Sequence, residues 1–494
     1  MKNRTRVYRF LEIIPGFLLC ITFVLALLLS FFKPLWVIYF IILFDLLWLY
    51  RVVYFVIFLL YGWRKFMGAL RIDWFDRLTS HHKDWKQMYH LLFLPMYKEG
   101  EDIVDQTLKS IVDSNYPMDR FIVVLAGEER AQESFEPIAV AMKKKYGKTF
   151  FKFITTLHPD NVPGEMKSKG ANINYAGKQV QTIIDTLNIP YERIIVSTFD
   201  IDTNPHPDYF AALTDAYLSH PNPTRASYQP VVLYNNNIWE SSAPMRLAAF
   251  GTTFWLLSEL ARPDRLFTFS SHSMSFRALV DVGFWQNDIV SEDSRIFLQC
   301  FLHYHGDYSV TPIYVPVNMD TVQARTQWIS LVNLYKQQRR WAWGVEHFPF
   351  MLTAFAKDPL IPRWKKLKYS WIQAEGMYTW ATAPILIFIL GRLPLYFAQG
   401  EVSRTVLAQN APFILEMLLN FTLIGIIITA ILALIALPPR PTTQRAYKMV
   451  YMLLQWALLP ITLIVLSSIP AIDAQIRLML GRYLGFWVTE KTRK

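Results

Sequence analysis

Residues 90–117, HLLFLPMYKEGEDIVDQTLKSIVDSNYP, decide how the rest of the chain is read. A short apolar run gives way to a turn over 95–100. Apolar residues at helical spacing follow and stop before Pro117, so the stretch reads as a buried strand, a turn and an amphipathic helix. Outward from it the pattern repeats. Residues 121–126 (FIVVLA), 151–155 and 193–199 (RIIVSTF) read as further strands, with helical stretches over 135–146 and 172–187 between them. Strands alternating with helices predict a mainly parallel α/β sheet, in which ligands sit at the carboxyl ends of strands.

The flanks differ in character. The 494 residues are 53% hydrophobic, too apolar for one soluble core, and mean hydropathy is positive. Apolar runs cover 13–32 and 35–61 before the α/β region, and 378–397, 412–437 and 449–469 after it. Each is near the roughly 20 residues that cross a hydrocarbon core. The expected plan is two transmembrane helices over 1–63, the α/β domain over 64–320, interfacial helices over 321–375, transmembrane helices over 376–470, and an interfacial helix with a terminal loop over 471–494.

Lys2, Arg4, Arg6 and Arg9 precede the first run, and Arg64, Lys65 and Arg71 follow the second. By the positive-inside rule they put the N-terminus and the domain on the cytoplasmic side of a multi-pass protein in an inner or plasma membrane. The length of the first run and the immediate second one argue against a cleaved signal. Five spans would leave the C-terminus outside, yet Arg477, Arg482, Lys491, Arg493 and Lys494 argue for inside. A fold-back of 449–469 at Pro460, with 471–484 as an interfacial helix, would reconcile the two. Cys20 and Cys300 are the two cysteines, too few for a disulfide framework. The net charge of +11 suits anionic lipid or an anionic substrate, and no nucleic-acid motif is present.

Candidate chemistry gathers at the strand ends. Asp200-Ile201-Asp202 follows Phe199, and two carboxylates there suit a hard divalent ion and a diphosphate, or equally a capped turn. Glu128 and Glu129 follow the second strand, as nucleobase or ribose contacts or as a solvated loop. In KSKGANIN, Lys167, Lys169 and Asn172 near a helix start suit phosphate or ribose, or form an ordinary basic turn. Ser291-Glu292-Asp293 precedes an apolar helix, either as a cap with an acidic first turn or with Asp293 as a general base. Gln337 to Trp341 (QQRRW) concentrates amides, fixed cations and an indole on one helix, which favours function over a plain surface.

In this order and spacing the pieces resemble the processive family-2 glycosyltransferases, the group of cellulose, hyaluronan and chitin synthases, over about 91–343 and again at the C-terminus. The family's aspartate-x-aspartate matches Asp200 and Asp202. Its threonine-glutamate-aspartate matches Ser291, Glu292 and Asp293 with serine for threonine, its Q(Q/R)xRW matches Gln337 to Trp341, and FWVTEK at 486–491 looks like its FxVTxK gating loop. The resemblance implies an A-type glycosyltransferase domain inserted between transmembrane helices in an integral membrane protein. It further implies inverting transfer from a nucleotide-sugar, of the UDP kind, to a growing polysaccharide with possible export. The alternative is transfer of one sugar to a lipid carrier or glycolipid.

Carried over residue by residue, the resemblance makes Asp293, Arg340 and Trp341 catalytic. It gives donor contacts to Glu128, Lys169, Asp200, Gln337, Thr489 and Lys491, and Mg²⁺ or Mn²⁺ to Asp202 with Asp200. The partners implied are the nucleotide-sugar donor, a glycan or lipid-linked acceptor, and membrane lipid. This chain departs from the family in having AGEER where an aspartate usually binds uracil, with Glu128 the nearest match. Ser271 and His272 also stand where glycines or small residues are usual. Asp45 and Arg51 lie inside the second run, where each costs on the order of 3 kcal/mol and needs compensation from other helices or a glycan path.

Overall fold

The computed structural model describes residues 5–398, 402–445 and 447–485. Two helices lead the chain, α1 (Arg6–Phe32) and α2 (Pro34–Ala69). Thr5 caps α1 by accepting the Tyr8 N–H at 3.2 Å, and Pro34 opens α2 where a missing N–H costs no bond. At about 1.5 Å per residue, the 36 residues of α2 outreach a hydrocarbon core of about 30 Å. Its last turns therefore meet the α/β domain. Gly62 lies against the backbone of Leu257, and the Arg262 guanidinium sits 4.9 and 5.2 Å over the Tyr54 and Phe58 rings.

In chain order the domain runs β1 (Tyr89–Pro95), α3 (Glu101–Val112), β2 (Phe121–Glu128), α4 (Gln132–Tyr146), β3 (Lys152–His158), α5 (Lys169–Leu187) and β4 (Ile194–Thr198). It continues with β5 (Asn204–Pro205), β6 (Ala226–Leu233), β7 (Ser273–Ser275), α6 (Glu292–His303) and β8 (Ser309–Asn318). The sheet order is β3-β2-β1-β4-β7-β6-β8-β5. From β3 to β4 every pair is parallel, with His90 opposite Phe121 and Tyr89 opposite Ile194.

Beyond β4 the pattern changes. β7 runs antiparallel to both β4 and β6, and β5 antiparallel to β8, while β6 and β8 pair in parallel, so the sheet is mixed but, as expected, mainly parallel. The cause is local: the three-residue strand Ser273–Ser275, reached from β6 by way of the helix Ala243–Leu260 and a loop, enters antiparallel between two longer strands. It is tied there by Ser273 Oγ, 2.7 Å from Ser197 Oγ and 3.0 Å from Tyr209 OH.

After the sheet come α7 (Gln327–Ala342), α8 (His347–Lys357), α9 (Arg363–Phe388) and α10 (Val406–Ala436), and the described chain ends just past α11 (Ile469–Met479). Among the described residues four helices are long and apolar enough to cross a membrane: Arg6–Phe32, Pro34–Ala69, Val406–Ala436 and Lys448–Met479. The fold-back expected at Pro460 is absent. Lys448–Met479 is one helical run, and Pro460 stands in the opening positions of its Leu459–Leu463 segment, after a 3₁₀ turn and before a π turn. The break lies instead at Ile389, where Arg363–Phe388 and Leu390–Phe397 meet at 50°. The last helix stops at Met479, short of the expected 484, with Gly481 at φ +70° just beyond. Arg51 is compensated by α9, through an ion pair with Glu375 and a 2.8 Å bond to Thr379.

Candidate active site

The polar centre lies at the carboxyl end of β4, where the two halves of the sheet meet. α5 begins there because Ser168 caps it, accepting the Ala171 N–H at 3.3 Å, and its first residue is Lys169. Lys169 Nζ donates to Asp200 Oδ1 at 2.7 Å and also lies 3.1 and 3.2 Å from the two carboxylate oxygens of Asp293. One ammonium thus joins the Asp-x-Asp turn to the first turn of α6. Burial opposes its charge, but Asp200, Asp293 and Glu292 outweigh that and hold Lys169 well above the ordinary lysine range.

Ser270 Oγ donates to the other Asp200 oxygen at 2.8 Å, and Thr268 Oγ1 fixes the Asp293 carbonyl at 2.6 Å. Glu292 is fully buried, and neither of its carboxylate oxygens has a hydrogen-bond partner among the described residues. Burial, and then Asp293, push its carboxyl up to about 7 against the pull of Lys169 and Arg340. Asp202 is buried as well. Its Oδ2 accepts the Asp320 N–H at 3.0 Å, while Asn236 Nδ2 donates to the Asp202 carbonyl and to Asp320 Oδ1, each at 2.9 Å. Among the described residues no three His, Cys, Asp or Glu side chains group as a metal cluster. Asp200 and Asp202 still offer two hard oxygen ligands at a strand end, which suits a divalent ion whose remaining ligands are diphosphate oxygens and water.

The QQRRW helix divides its residues between two tasks. Arg340 acts electrostatically on Glu292 and on Tyr234, whose phenol is pushed up by burial and by Asp200 and Asp202. Arg339 turns to α11 instead, where Asp473 accepts from Arg339 Nη1 at 2.7 Å, Arg477 Nε at 2.6 Å and Tyr335 OH at 3.2 Å. Gln337 and Trp341 are half-buried on the same helix.

Glu128 ends β2 and accepts from Arg130 Nε at 2.6 Å, with the Arg130 guanidinium 4.2 Å over the Tyr97 ring. Both line a cavity of about 240 Å³ shared with His158, Glu165, Lys167 and Ser168. Two expected phosphate contacts have other employment. Lys167 pairs with Asp160 at 2.6 Å, and Asn172 Nδ2 donates to the Ala126 carbonyl at 2.8 Å, fastening α5 to β2. Ser291 stands at the helix start but makes no side-chain cap; its hydroxyl donates to Glu346. Thr489 and Lys491 lie outside the described residues.

Sequence reading missed Ser270, Tyr234, Asn236 and Asp320. For Asp320 a signal existed, since it stands just past the end of the run 314–317 (YVPV) much as Asp200 follows Phe199.

A family model described as Glycosyl transferase family group 2 matches residues 195–469, more than half of the chain, and takes in Asp200, Asp202, Asp293 and the QQRRW helix. The chain belongs to this family. It is a glycosyltransferase, and its mixed α/β sheet is of the A-type-like kind. No curated protein matches it. Solved structures similar to this glycosyltransferase include the mannosyltransferase PcManGT from Pyrobaculum calidifontis in complex with GDP-Man and Mn²⁺. That protein is 17% identical, with 82% of this chain and 99% of that chain covered at a TM-score of 0.42. Residues 1–349 of S. aureus TarS in complex with UDP-GlcNAc are 14% identical, with 68% and 89% covered at a TM-score of 0.33.

Proposed function

We propose that this glycosyltransferase is a membrane-embedded, inverting enzyme that moves a sugar from a nucleotide-sugar, of the UDP kind, to a growing polysaccharide on the cytoplasmic face. The observation that carries the reading is Lys169, whose one ammonium touches Asp200 on the donor side and Asp293 on the acceptor side. In a single displacement the acceptor hydroxyl oxygen attacks the anomeric carbon. Its proton passes to Asp293, the bond to the diphosphate breaks, and the electron pair leaves with the nucleoside diphosphate. General-base help of this kind is worth about 10²- to 10⁴-fold.

Lys169 and Arg340 face the charge that develops on the leaving group, and Trp341 offers a ring face for the terminal sugar. When bound, a Mg²⁺ or Mn²⁺ ion on Asp202 and Asp200 supplies further charge neutralisation. Glu128 stands where the nucleobase or ribose would be read, and Gln337, Thr489 and Lys491 complete the donor contacts, with residues 486–491 closing over them. With the bent pair Arg363–Phe388 and Leu390–Phe397 read as re-entrant, the four unbroken spans return the C-terminus to the side of the N-terminus, which the basic residues at both ends favour and the closing segment requires.

Purified protein in liposomes, incubated with radiolabelled UDP-glucose, UDP-GlcNAc and GDP-mannose, tests this reading by product sizing. A ladder of long glycan is expected. A single-sugar lipid product would move the assignment to a lipid-carrier transferase, and no turnover of any donor would remove the reading.

A further inference from the structure

We propose that Glu346 and His347 are positioning residues that clamp the Ser291–Arg295 turn from which Asp293 works. The inference rests on the reading of Asp293 as the base. Both side chains are buried, at 9% and 3% exposure, at the junction of α7 and α8. Glu346 accepts from Ser291 Oγ at 2.5 Å with one oxygen and from Trp343 Nε1 at 3.0 Å with the other. His347 takes the next positions of the same turn, with Nε2 at 2.8 Å from Ser294 Oγ and Nδ1 accepting from Arg295 Nε at 3.0 Å.

The tautomer follows from the partners. An arginine Nε–H only donates, so Nδ1 is the acceptor, and Nε2 carries the hydrogen and donates to Ser294. A protonated ring would turn N–H against N–H. Burial, with Arg295 adding to it, keeps the imidazole neutral, well below the ordinary histidine range. Arg295 is held in turn by Gln286 Oε1 at 3.0 Å and by the Phe350 ring at 3.9 Å.

Two features separate a clamp from ordinary packing. Serine is a strong helix cap, yet Ser291 gives up that bond for Glu346, so α6 forgoes its own cap stabilisation to be tied to another element. The tie also joins the two motifs that flank the reacting groups, because Trp343 closes the QQRRW helix and Ser291 opens the turn bearing Asp293. Asp293 therefore takes its placement from Lys169 at the carboxylate, Thr268 at the carbonyl, and Glu346 and His347 on either side of it.

The test compares Glu346→Ala, Glu346→Gln, Ser291→Ala and Asp293→Asn with whichever of the three radiolabelled donors turns over, measuring kcat, donor KM, the pH–rate profile and Tm. A misplaced reacting group costs on the order of 10²-fold. Glu346→Ala should therefore lower kcat about 10- to 100-fold, leave donor KM within about twofold, and shift the acidic limb of the profile. The Gln variant, whose amide accepts from the indole and donates to Ser291, should recover most of the loss. A fall in Tm with kcat per folded molecule and pH profile unchanged would overturn the clamp. If the Ala variant does not fold, Ser291→Ala decides by the same readings, since it removes one hydroxyl. Transfer that survives in Asp293→Asn would bring down the base and the clamp together. An inactive Asp293→Asn beside fully active Glu346→Ala and Ser291→Ala would overturn the clamp alone.

Discussion

The two halves of the sheet are built differently. From β3 to β4 the strands are parallel, joined by helices and lined mostly by buried Leu, Ile, Val and Phe, with His90, Thr156, Ser197 and Thr198 buried among them. From β7 to β5 the strands are mixed in direction, and buried Ser227, Gln229, Ser273 and Ser275 sit within them. Buried polar side chains cost free energy unless they are hydrogen-bonded, so the second half leans more on specific partners and the first more on dispersion and area, with Ser197 on Ser273 tying the two. The groups of the candidate site lie on the seam: Asp200 and Lys169 come from the first half, and Ser270, Tyr234 and Asp320 from the second. A rigid apolar half can thus carry a site whose fine placement is set by the polar half.

The largest expected effect is at the seam. Asp202→Ala should abolish turnover and its divalent-metal dependence while the protein stays folded; a variant that keeps metal-dependent activity would take the ligand role from Asp202. Asp293→Asn should slow transfer by about 10²- to 10⁴-fold and leave donor binding intact, since the amide keeps the shape and takes no proton. Truncation after Gly485 should raise donor KM or lower kcat by about tenfold, read as initial rates against donor concentration. Unaltered kinetics would separate residues 486–494 from the donor site.

In the apolar half, Leu92→Ala should cost about 2–5 kcal/mol of stability and leave kcat per folded molecule unchanged. A matching loss of kcat would show that the halves are not divided as described. The smallest effect concerns pH. The Glu292 carboxyl is raised from 4.5 to about 7, so the stability linked to its proton is complete below pH 4.5 and lost as pH rises through 7. Glu292→Gln, which cannot ionise, should therefore melt about 4 °C higher than wild type above pH 7, with little difference near pH 4.5. An advantage that does not depend on pH would contradict burial as the cause.

The same division sets how much was legible in the sequence. β1, β2 and β4 were readable because continuous apolar runs fill strands buried on both faces. β6 and β8 were not read: Pro230, Pro312 and Pro316 interrupt them, and proline argues against a strand unless register shifts absorb it, as one does between Pro230 and Val231. β7 is three residues of Ser-Met-Ser, too short for any period. Lys169 was legible as a cation near phosphate, but the second carboxylate on it lies 124 positions away, beyond any local pattern. Arg339 and Arg340 look alike in sequence. About 100° of helical rotation sends one to Asp473 and the other toward Glu292.

The contact at Gly62 has a mechanical consequence. A Cβ added there would collide with the Leu257 carbonyl oxygen, so no side chain stands between the shaft of α2 and the helix that backs the sheet. Shaft and sheet are bolted together without a bearing. A tilt or roll of α2 is carried into the Ala243–Leu260 helix directly, through backbone contact and not through the give of side chains or the slack of a tether.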